Sequence, residues 1–336
     1  MATIEDVARH AGVATSTVSY ALSGKRSISE KTRQRVERAV AELGYRPHAG
    51  ARALASARTN TLGLMLPLRP DVDVRVVMEF VTGIVTRARA FDHDVLLVTQ
   101  AEDAAIERLA SGRMVDALIL MDVEAADPRV ARAAALGNPT ILIGLPDDPQ
   151  GLQCVDFDFA AAARLAVRHL AGLGHTSIGL VGPPPSVVER NTSFAGRLLA
   201  GFHQEAERLG VSAAVELTPP THAGALGAVE SFRALDERPT ALIVHNEAAL
   251  PSVVDSIQMH GVQIPQDLSL LAICPADVAQ SQSRPLTYID IPAESIGAVA
   301  VEMAMARLEH PDAPAETRLL RPTLIDAAST AAPLNP

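Results

Sequence analysis

The sequence predicts an α/β protein: a small all-α head at the amino terminus, a short helix-capable linker, and a two-lobed body built on parallel sheets. Three observations predict it. Short helical periods separated by turn residues fill the first 46 positions; basic charge gives way to acidic charge near residue 60; beyond that, apolar strand-like runs alternate with amphipathic helical stretches. The boundaries drawn from these changes are 1–46 for the head, 47–59 for the linker and 60–336 for the body.

In the head, Ile4, Val7, Ala8 and Ala11 recur at i, i+3, i+4 and i+7 and predict a first helix with one apolar stripe. Thr3 precedes it as a cap, with Asp6 three residues on. Gly12-Val13 then marks a tight turn, and Thr15 to Ser23 predicts a short helix rich in small hydroxyl residues. Ser29-Glu30-Lys31-Thr32 opens a third helix with the stripe Val36, Ala39, Val40 and Leu43, closed by Gly44. Three short helices with a turn between the first two form a helix-turn-helix, whose second helix enters the DNA major groove; a generic helical bundle is the alternative. The next segment, His48 to Ser56, can form a helix but is too short to hold itself together and has no stripe wide enough for a core.

From Thr3-Ile4-Glu5-Asp6-Val7-Ala8, through Thr17-Val18-Ser19, to Arg52-Ala53-Leu54, the chain closely resembles the lactose-repressor family of bacterial transcription regulators. The resemblance implies that the linker folds on operator DNA and that Leu54 inserts between base pairs in the minor groove. An apolar wedge unstacks a base step at a cost of a few kcal/mol, and the bent DNA then makes more protein contact. Ala51 is small enough for two such segments to lie side by side. The alternative for Leu54 is a buried linker leucine.

Charge agrees with this division. Residues 1–60 hold ten Lys/Arg and five Asp/Glu, so the remainder carries −15 of the total of −10. Lys25, Arg26, Lys31, Arg33, Arg35 and Arg46 are candidate phosphate contacts, which make affinity fall with salt; a solvated helix face is the alternative for several. Base reading is assigned to Thr15, Ser16 and Tyr20. Thr3, Thr17, Ser19, Thr32 and the hinge residues Ala51, Arg52 and Leu54 complete the DNA-contacting set. Two residues depart from the family pattern. Tyr20 stands where most members carry an Arg able to grip guanine through two hydrogen bonds. Ala14 replaces a capping Ser, and Thr15 is expected to cap instead.

With 336 residues and 48% apolar composition, the body is long enough for two lobes with sizeable cores; aromatics are only 3% and Trp is absent, so small aliphatics build them. Strands are expected at Thr61–Leu66, Val95–Val98, Val115–Leu120, Thr140–Ile143, Ile178–Val181, Ala241–Val244 and Leu268–Ile273. Helices are expected at Val76–Phe91, from Glu102, before Thr140, and at Ala160–Ala171. Repeated β-α units imply parallel sheets covered on both faces. The lobes are expected to split near Gly144–Asp156 and to reconnect near Pro285–Pro292. The family resemblance extends over essentially the whole chain, carried in the body by Asp158 with Ala160–Leu170, Gly174-His175, Gly201-Phe202, Pro239–Val244 with Asn246, and Pro265–Ser269. It implies the clamshell of periplasmic sugar-binding proteins.

Such sheets bind ligands at the carboxyl ends of their strands, here facing the cleft. That nominates Pro67, Met121, Asp158, the segment from Pro183 to Arg190, and His245-Asn246. Asp158 and Arg197 are the leading partners for sugar hydroxyls. Arg197 lies four residues before Gly201, where the family's effector-gripping Arg stands three before, so Arg190 is kept as the other candidate. Cys274 occupies the place of an aspartate that contacts effector in many members, which implies a less polar or differently posed ligand. The alternative for Cys274 is a small buried hydrophobe.

Other chemistry lacks support. Gly182-Pro183-Pro184-Pro185-Ser186 follows a strand but has neither dinucleotide glycine spacing nor a P-loop Lys. Ser177 is displaced from a nucleophile elbow and begins a strand. The ten His offer no i, i+4 zinc pair, and Cys154 and Cys274 form no CxxC. No cofactor or metal is expected. There is no apolar signal core and no run of membrane-span length, which predicts a cytoplasmic, nucleoid-associated protein. The expected function is that of a sequence-specific DNA-binding transcription regulator, a repressor and not an enzyme. It is expected to act as a homodimer on a near-palindromic operator, under control of a small-molecule effector of sugar type. The chain's end has no leucine heptad for a tetramer. The alternative is a cytoplasmic small-molecule-binding or sugar-processing protein with a helical appendage, which turnover of a bound metabolite would reveal.

Overall fold

The computed structural model describes residues 2–23, 28–45, 58–99, 103–112 and 114–334. Lys25, Arg26, Arg46 and the hinge residues Ala51, Arg52 and Leu54 lie outside the described residues.

The head contains α1 (Ile4–Ala11), α2 (Thr15–Ser23) and α3 (Glu30–Leu43). The Thr3 hydroxyl accepts from the Asp6 N–H while the Asp6 carboxylate accepts from the Thr3 N–H, a reciprocal cap. Gly12 ends α1 at φ +62°, a left-handed conformation that costs glycine least, and this swings the chain into α2. Val7, Ala8 and Ala11 of α1 pack with Val18 of α2, Val36 and Ala39 of α3, and Tyr45. The expected Thr15 cap is corrected: Thr15 is already helical, and the Ala14 carbonyl accepts from the Thr17 and Val18 N–H groups, so α2 starts without the side-chain cap that Ser would supply.

The body begins at Thr59, where Asp116 accepts hydrogen bonds from the Thr59 and Asn60 N–H groups at 2.6 and 2.8 Å. Its first lobe comprises β1 (Thr61–Met65), α4 (Val74–Ala90), β2 (Asp94–Val98), α5 (Asp103–Ser111), β3 (Ala117–Leu120), α6 (Pro128–Leu136), β4 (Thr140–Ile143) and β5 (Gln153–Phe157). The second comprises α7 (Phe159–Gly172), β6 (Ser177–Gly182), α8 (Pro185–Glu189), α9 (Ser193–Leu209), β7 (Ser212–Leu217), α10 (His222–Ala234), β8 (Ala241–Val244), α11 (Leu250–Met259), β9 (Ser269–Cys274), α12 (Ala276–Gln280) and β10 (Thr287–Asp290). The chain then returns to the first lobe through α13 (Ala293–Glu309) and β11 (Thr317–Leu320), and crosses once more to β12 (Leu324–Ile325).

Each lobe has one six-stranded sheet, in the orders β11-β5-β4-β3-β1-β2 and β12-β10-β9-β8-β6-β7. All pairings are parallel except β10 with β12. The central strands read as unbroken apolar runs because both faces are covered: Leu118 to Leu120 of β3 and Leu270 to Ile273 of β9 are fully buried. The first crossing falls just after Phe157, beyond the expected span 144–156, because Gln153–Phe157 is a strand of the first sheet paired with β4. The return crossing at Asp290–Ala293 falls at the end of the expected span, and the crossing between β11 and β12 was not expected.

Two helix pairs lock the layers at glycine contacts. A Cβ on Gly83 of α4 would strike the Glu294 backbone of α13, and one on Gly297 would strike the Phe80 carbonyl. A Cβ on Gly201 of α9 would come within 2.5 Å of the Ala160 carbonyl of α7. Small residues at these contacts let helix axes approach closely, which is why Ala and Gly are abundant in α7, α9 and α13.

Candidate DNA-reading face and interlobe cleft

On α2, Val18 turns into the head core while Thr15 and Ser16 are exposed and Thr17, Ser19 and Tyr20 are half-buried. The first turn of α2 therefore presents two hydroxyls to solvent, as a helix reading base edges requires. Lys31 is exposed on the first turn of α3. Thr3 and Thr32 are engaged locally: Thr3 caps α1, and the Thr32 hydroxyl lies 2.8 Å from Ser29 Oγ at the start of α3. Both remain near the surface, but their side chains already have partners.

A second site lies between the lobes. The carboxyl ends of both sheets line a cavity of about 170 Å3. The lobes meet across it in a closed arrangement. The Ser193 N–H donates to the Val123 carbonyl at 2.9 Å, the Ala125 N–H to the Asn191 carbonyl at 2.8 Å, and Ser193 Oγ accepts from the Leu145 N–H at 3.3 Å.

Ionic contacts reinforce this closure. Asp71, in the loop after β1, pairs with Arg190 and accepts from Ser186 Oγ at 2.6 Å, both in the second lobe. Burial alone would raise the Asp71 pKa, yet the Ser186 hydrogen bond and Arg190 together hold it below the usual carboxylate value. Asp122 accepts from Arg69 Nε at 2.7 Å, with Arg190 at 3.8 Å. Asp156 at the end of β5 pairs with Arg197 of α9; burial raises its pKa, and Arg197 opposes that shift. Behind this wall Arg129 is buried and bonds Asp127 together with the carbonyls of Met121 and Asp122, fixing the loop after β3.

The structure brings Pro67, Met121, His245 and Asn246 to the cavity wall. Asn246 is structurally engaged: its amide donates to the Thr218 carbonyl and its carbonyl accepts from the Ala249 N–H. Arg190 and Arg197 stand behind the wall, holding Asp71 and Asp156, which do line it. Two nominated residues lie off the cavity wall. Asp158 does not line the cavity; it caps α7 by accepting from the Ala161 N–H at 2.9 Å, because a helix start leaves donors to satisfy. Cys274 also lies off the cavity, 1% exposed in the second-lobe core under α12, and burial pushes its thiol pKa well up.

Sequence reasoning missed Asp71, Phe80, Phe159, Thr192, Phe194 and Glu247, all on the wall. Aromatic scarcity was the available signal. The chain has seven Phe, and three of them, Phe80, Phe159 and Phe194, face this one cavity.

Together, a helix-turn-helix head and a clamshell body with an interlobe cavity are the architecture of a DNA-binding regulator with a ligand-binding type of body. Residues 3–48 match the family described as bacterial regulatory proteins, lacI family, and residues 167–330 match a periplasmic binding protein-like domain. The HTH-type transcriptional regulator AglR of Rhizobium meliloti strain 1021 is 30% identical over 97% of this chain and 94% of its own length. The ribose operon repressor of Haemophilus influenzae is 28% identical over 97% of each chain. Among solved structures, the lac repressor dimer bound to operator and the anti-inducer ONPF superposes with a TM-score of 0.83 at 25% identity, over 98% of this chain and 99% of that one. The chain belongs to the lacI family of bacterial regulatory proteins and is a DNA-binding transcription regulator. No helix among the described residues is long and apolar enough to cross a membrane.

Proposed function

We propose that this regulator is a repressor that binds a near-palindromic operator as a homodimer and releases or tightens its grip when a small molecule occupies the interlobe cavity. The carrying observation is the cavity itself, lined by the strand ends of both lobes and spanned by the Asp71 contacts to Ser186 and Arg190. A ligand seated there touches both lobes, so its affinity depends on their arrangement, and by linkage it shifts that arrangement. Relatives include a repressor of the ribose operon, and a related solved structure is a regulator in complex with cellobiose, which supports a small metabolite as the cavity's occupant.

In this reading Thr15, Ser16 and Tyr20 read base edges, with Thr17, Ser19 and Lys31 supporting, and Lys25, Ala51, Arg52 and Leu54 complete the interface. Thr3 and Thr32 act by fixing helix starts beside the DNA. Val74, Met78 and Val85 of α4, each 45% exposed or more, form one apolar stripe at helical spacing that suits contact with a second copy. No turnover is assigned to the cleft, and a cytoplasmic, nucleoid location follows from the DNA partner.

Gel-shift titration of the full chain against the DNA upstream of its own gene, over a series of salt concentrations, tests the reading. Sequence-selective binding is expected, weakening steeply with salt and falling at least about tenfold in Leu54→Ala. Binding with no sequence preference, or unchanged binding in Leu54→Ala, overturns the operator-reading and wedge assignments respectively.

A further inference from the structure

The two walls of the cavity differ. The first lobe contributes mainly aliphatic groups, chiefly Val72, Val76 and Ile143, with the single ring of Phe80, whereas the second contributes a cluster of three rings, Phe159, Phe194 and His245. Phe194 stacks on His245 with centroids 5.6 Å apart and planes 19° from parallel. Phe159 lies 5.1 Å from Phe194 and 5.5 Å from His245, and Arg197 stands 5.7 Å from the Phe159 ring. A flat apolar slot results.

Ionic groups around the slot are engaged with one another. Asp71, Asp73, Asp122 and Asp156 pair with Arg190, Arg75, Arg69 and Arg197. Burial raises the Glu247 pKa to about 8 and depresses that of His245 to about 4, so both are neutral at pH 7. Among the described residues, each Asp on the wall is paired with an Arg, so a charged ligand meets no unpaired counter-ion there. On the wall itself His245 Nε2, Thr192 Oγ1 and Asp71 Oδ1 are buried and have no hydrogen-bond partner, and behind it Nε and Nη2 of Arg190 have none either, although Arg190 is paired through Nη1 with Asp71. A free sugar presents hydroxyls along every edge, and each one left unpaired against the aliphatic wall costs roughly tenfold in affinity. A ring compound with one polar edge satisfies the orphaned atoms and leaves the apolar walls covered.

We propose that the effector is an uncharged, planar aromatic compound, its face on Phe159 and Phe194 and its hydrogen-bonding edge at Thr192 and Asp71. The proposal rests on the reading of the cleft as the effector site and names that effector's class.

The chain has no Trp, so the fluorescence of 2-naphthol can be read without a tryptophan background. The full chain is titrated with 2-naphthol, and thermal unfolding is recorded with indole, benzoate, D-ribose, D-galactose and cellobiose. Saturable 2-naphthol binding is expected, with indole raising Tm by about 2 °C or more and benzoate and the sugars leaving it unchanged. Thr192→Val, which preserves shape, is expected to weaken 2-naphthol at least about fivefold, and Phe194→Ala at least about tenfold. Because Phe194→Ala could perturb folding, Thr192→Val carries the test if that variant melts early. A Tm rise with a sugar but not with indole, or binding indifferent to both substitutions, overturns the proposal. Operator affinity measured alongside separates the two readings. Sequence-dependent aromatic binding in the cleft that leaves operator affinity unchanged supports the ligand class and overturns effector control. A sugar that alters operator affinity does the reverse.

Discussion

The Asp71–Arg190 contact is the ionic bridge whose removal should be felt most directly, because it joins the lobes where they are almost dry. The two side chains are 12% and 19% exposed, so salt screens them little, and Asp71 also accepts the Ser186 hydrogen bond at 2.6 Å. A charge-assisted hydrogen bond in such surroundings contributes about 1.5–3 kcal/mol. Arg190→Met leaves the carboxylate with Ser186 alone and is expected to cost about 3 kcal/mol. Asp71→Asn leaves the guanidinium with the Ser186 carbonyl at 3.3 Å and its distant contact to Asp122 at 3.8 Å, and the double variant should be less damaged than the sum. The expected coupling is about 2 kcal/mol, roughly a 30-fold change in the equilibrium. Urea unfolding followed by far-UV circular dichroism measures it, at one fixed protomer concentration because dimer stability depends on concentration. A coupling below about 0.5 kcal/mol, or one abolished by 1 M salt, would refute the bridge as a closure element and make it an ordinary surface pair.

Three further outcomes are expected. Gly83→Ala places a methyl on the Glu294 backbone, which cannot yield as a side chain would, and should destabilise by about 2–4 kcal/mol in the same assay, whereas Gly227→Ala on the exposed face of α10, with nothing within 4 Å, should be neutral or stabilising. Tyr20→Arg should move the preferred base at one operator position toward guanine in a randomised-operator selection; an unchanged preference would show that residue 20 does not read that base. Stability should fall as pH rises from about 6.5 to about 8 and level off above: the Glu247 pKa is raised from 4.5 to about 8, so its contribution is complete below pH 4.5 and lost as pH rises to 8, and Glu247→Gln should reduce that fall. Below pH 6.5 His245 acts oppositely, since its pKa is depressed to about 4 and protonation then favours the unfolded chain; a profile that rises on acidification past pH 5 in Glu247→Gln would contradict this assignment.

The fold was legible wherever local chemistry and global packing agree. Thr3 with Asp6, Gly12, Ser29 and Gly44 mark helix ends by side-chain oxygens and by left-handed backbone, and the structure puts helix ends at those residues. Strands β1, β3, β4, β8 and β9 were legible because burial on both faces leaves them continuously apolar. Strands β5, β7, β10, β11 and β12 were not. Gln153–Phe157 carries two polar residues because Asp156 turns to Arg197 at the cleft, and Thr317–Leu320 is an exposed sheet edge with no apolar signature. Pairing decides such strands, and pairing is non-local.

The cleft was legible by position and not by partner. Reasoning from strand ends reached Pro67, Met121, His245 and Asn246, since that rule concerns the sheet alone. It failed at Asp158 and Cys274 because a strand-end residue can turn either toward the opposite lobe or back onto its own helix, and a linear sequence does not record which. Asp158 turns back onto α7 and Cys274 goes under α12, whereas Asp156, two residues earlier, crosses to Arg197. Arg190 and Arg197 illustrate the same limit. Both were picked as ligand-gripping cations, and both have their charge engaged by a first-lobe carboxylate in the closed arrangement. Their physical consequence is therefore indirect: by neutralising Asp71 and Asp156 they leave the slot between Val76 and Phe194 without a free ion, and so the closure of the lobes itself sets the polarity of what can bind there.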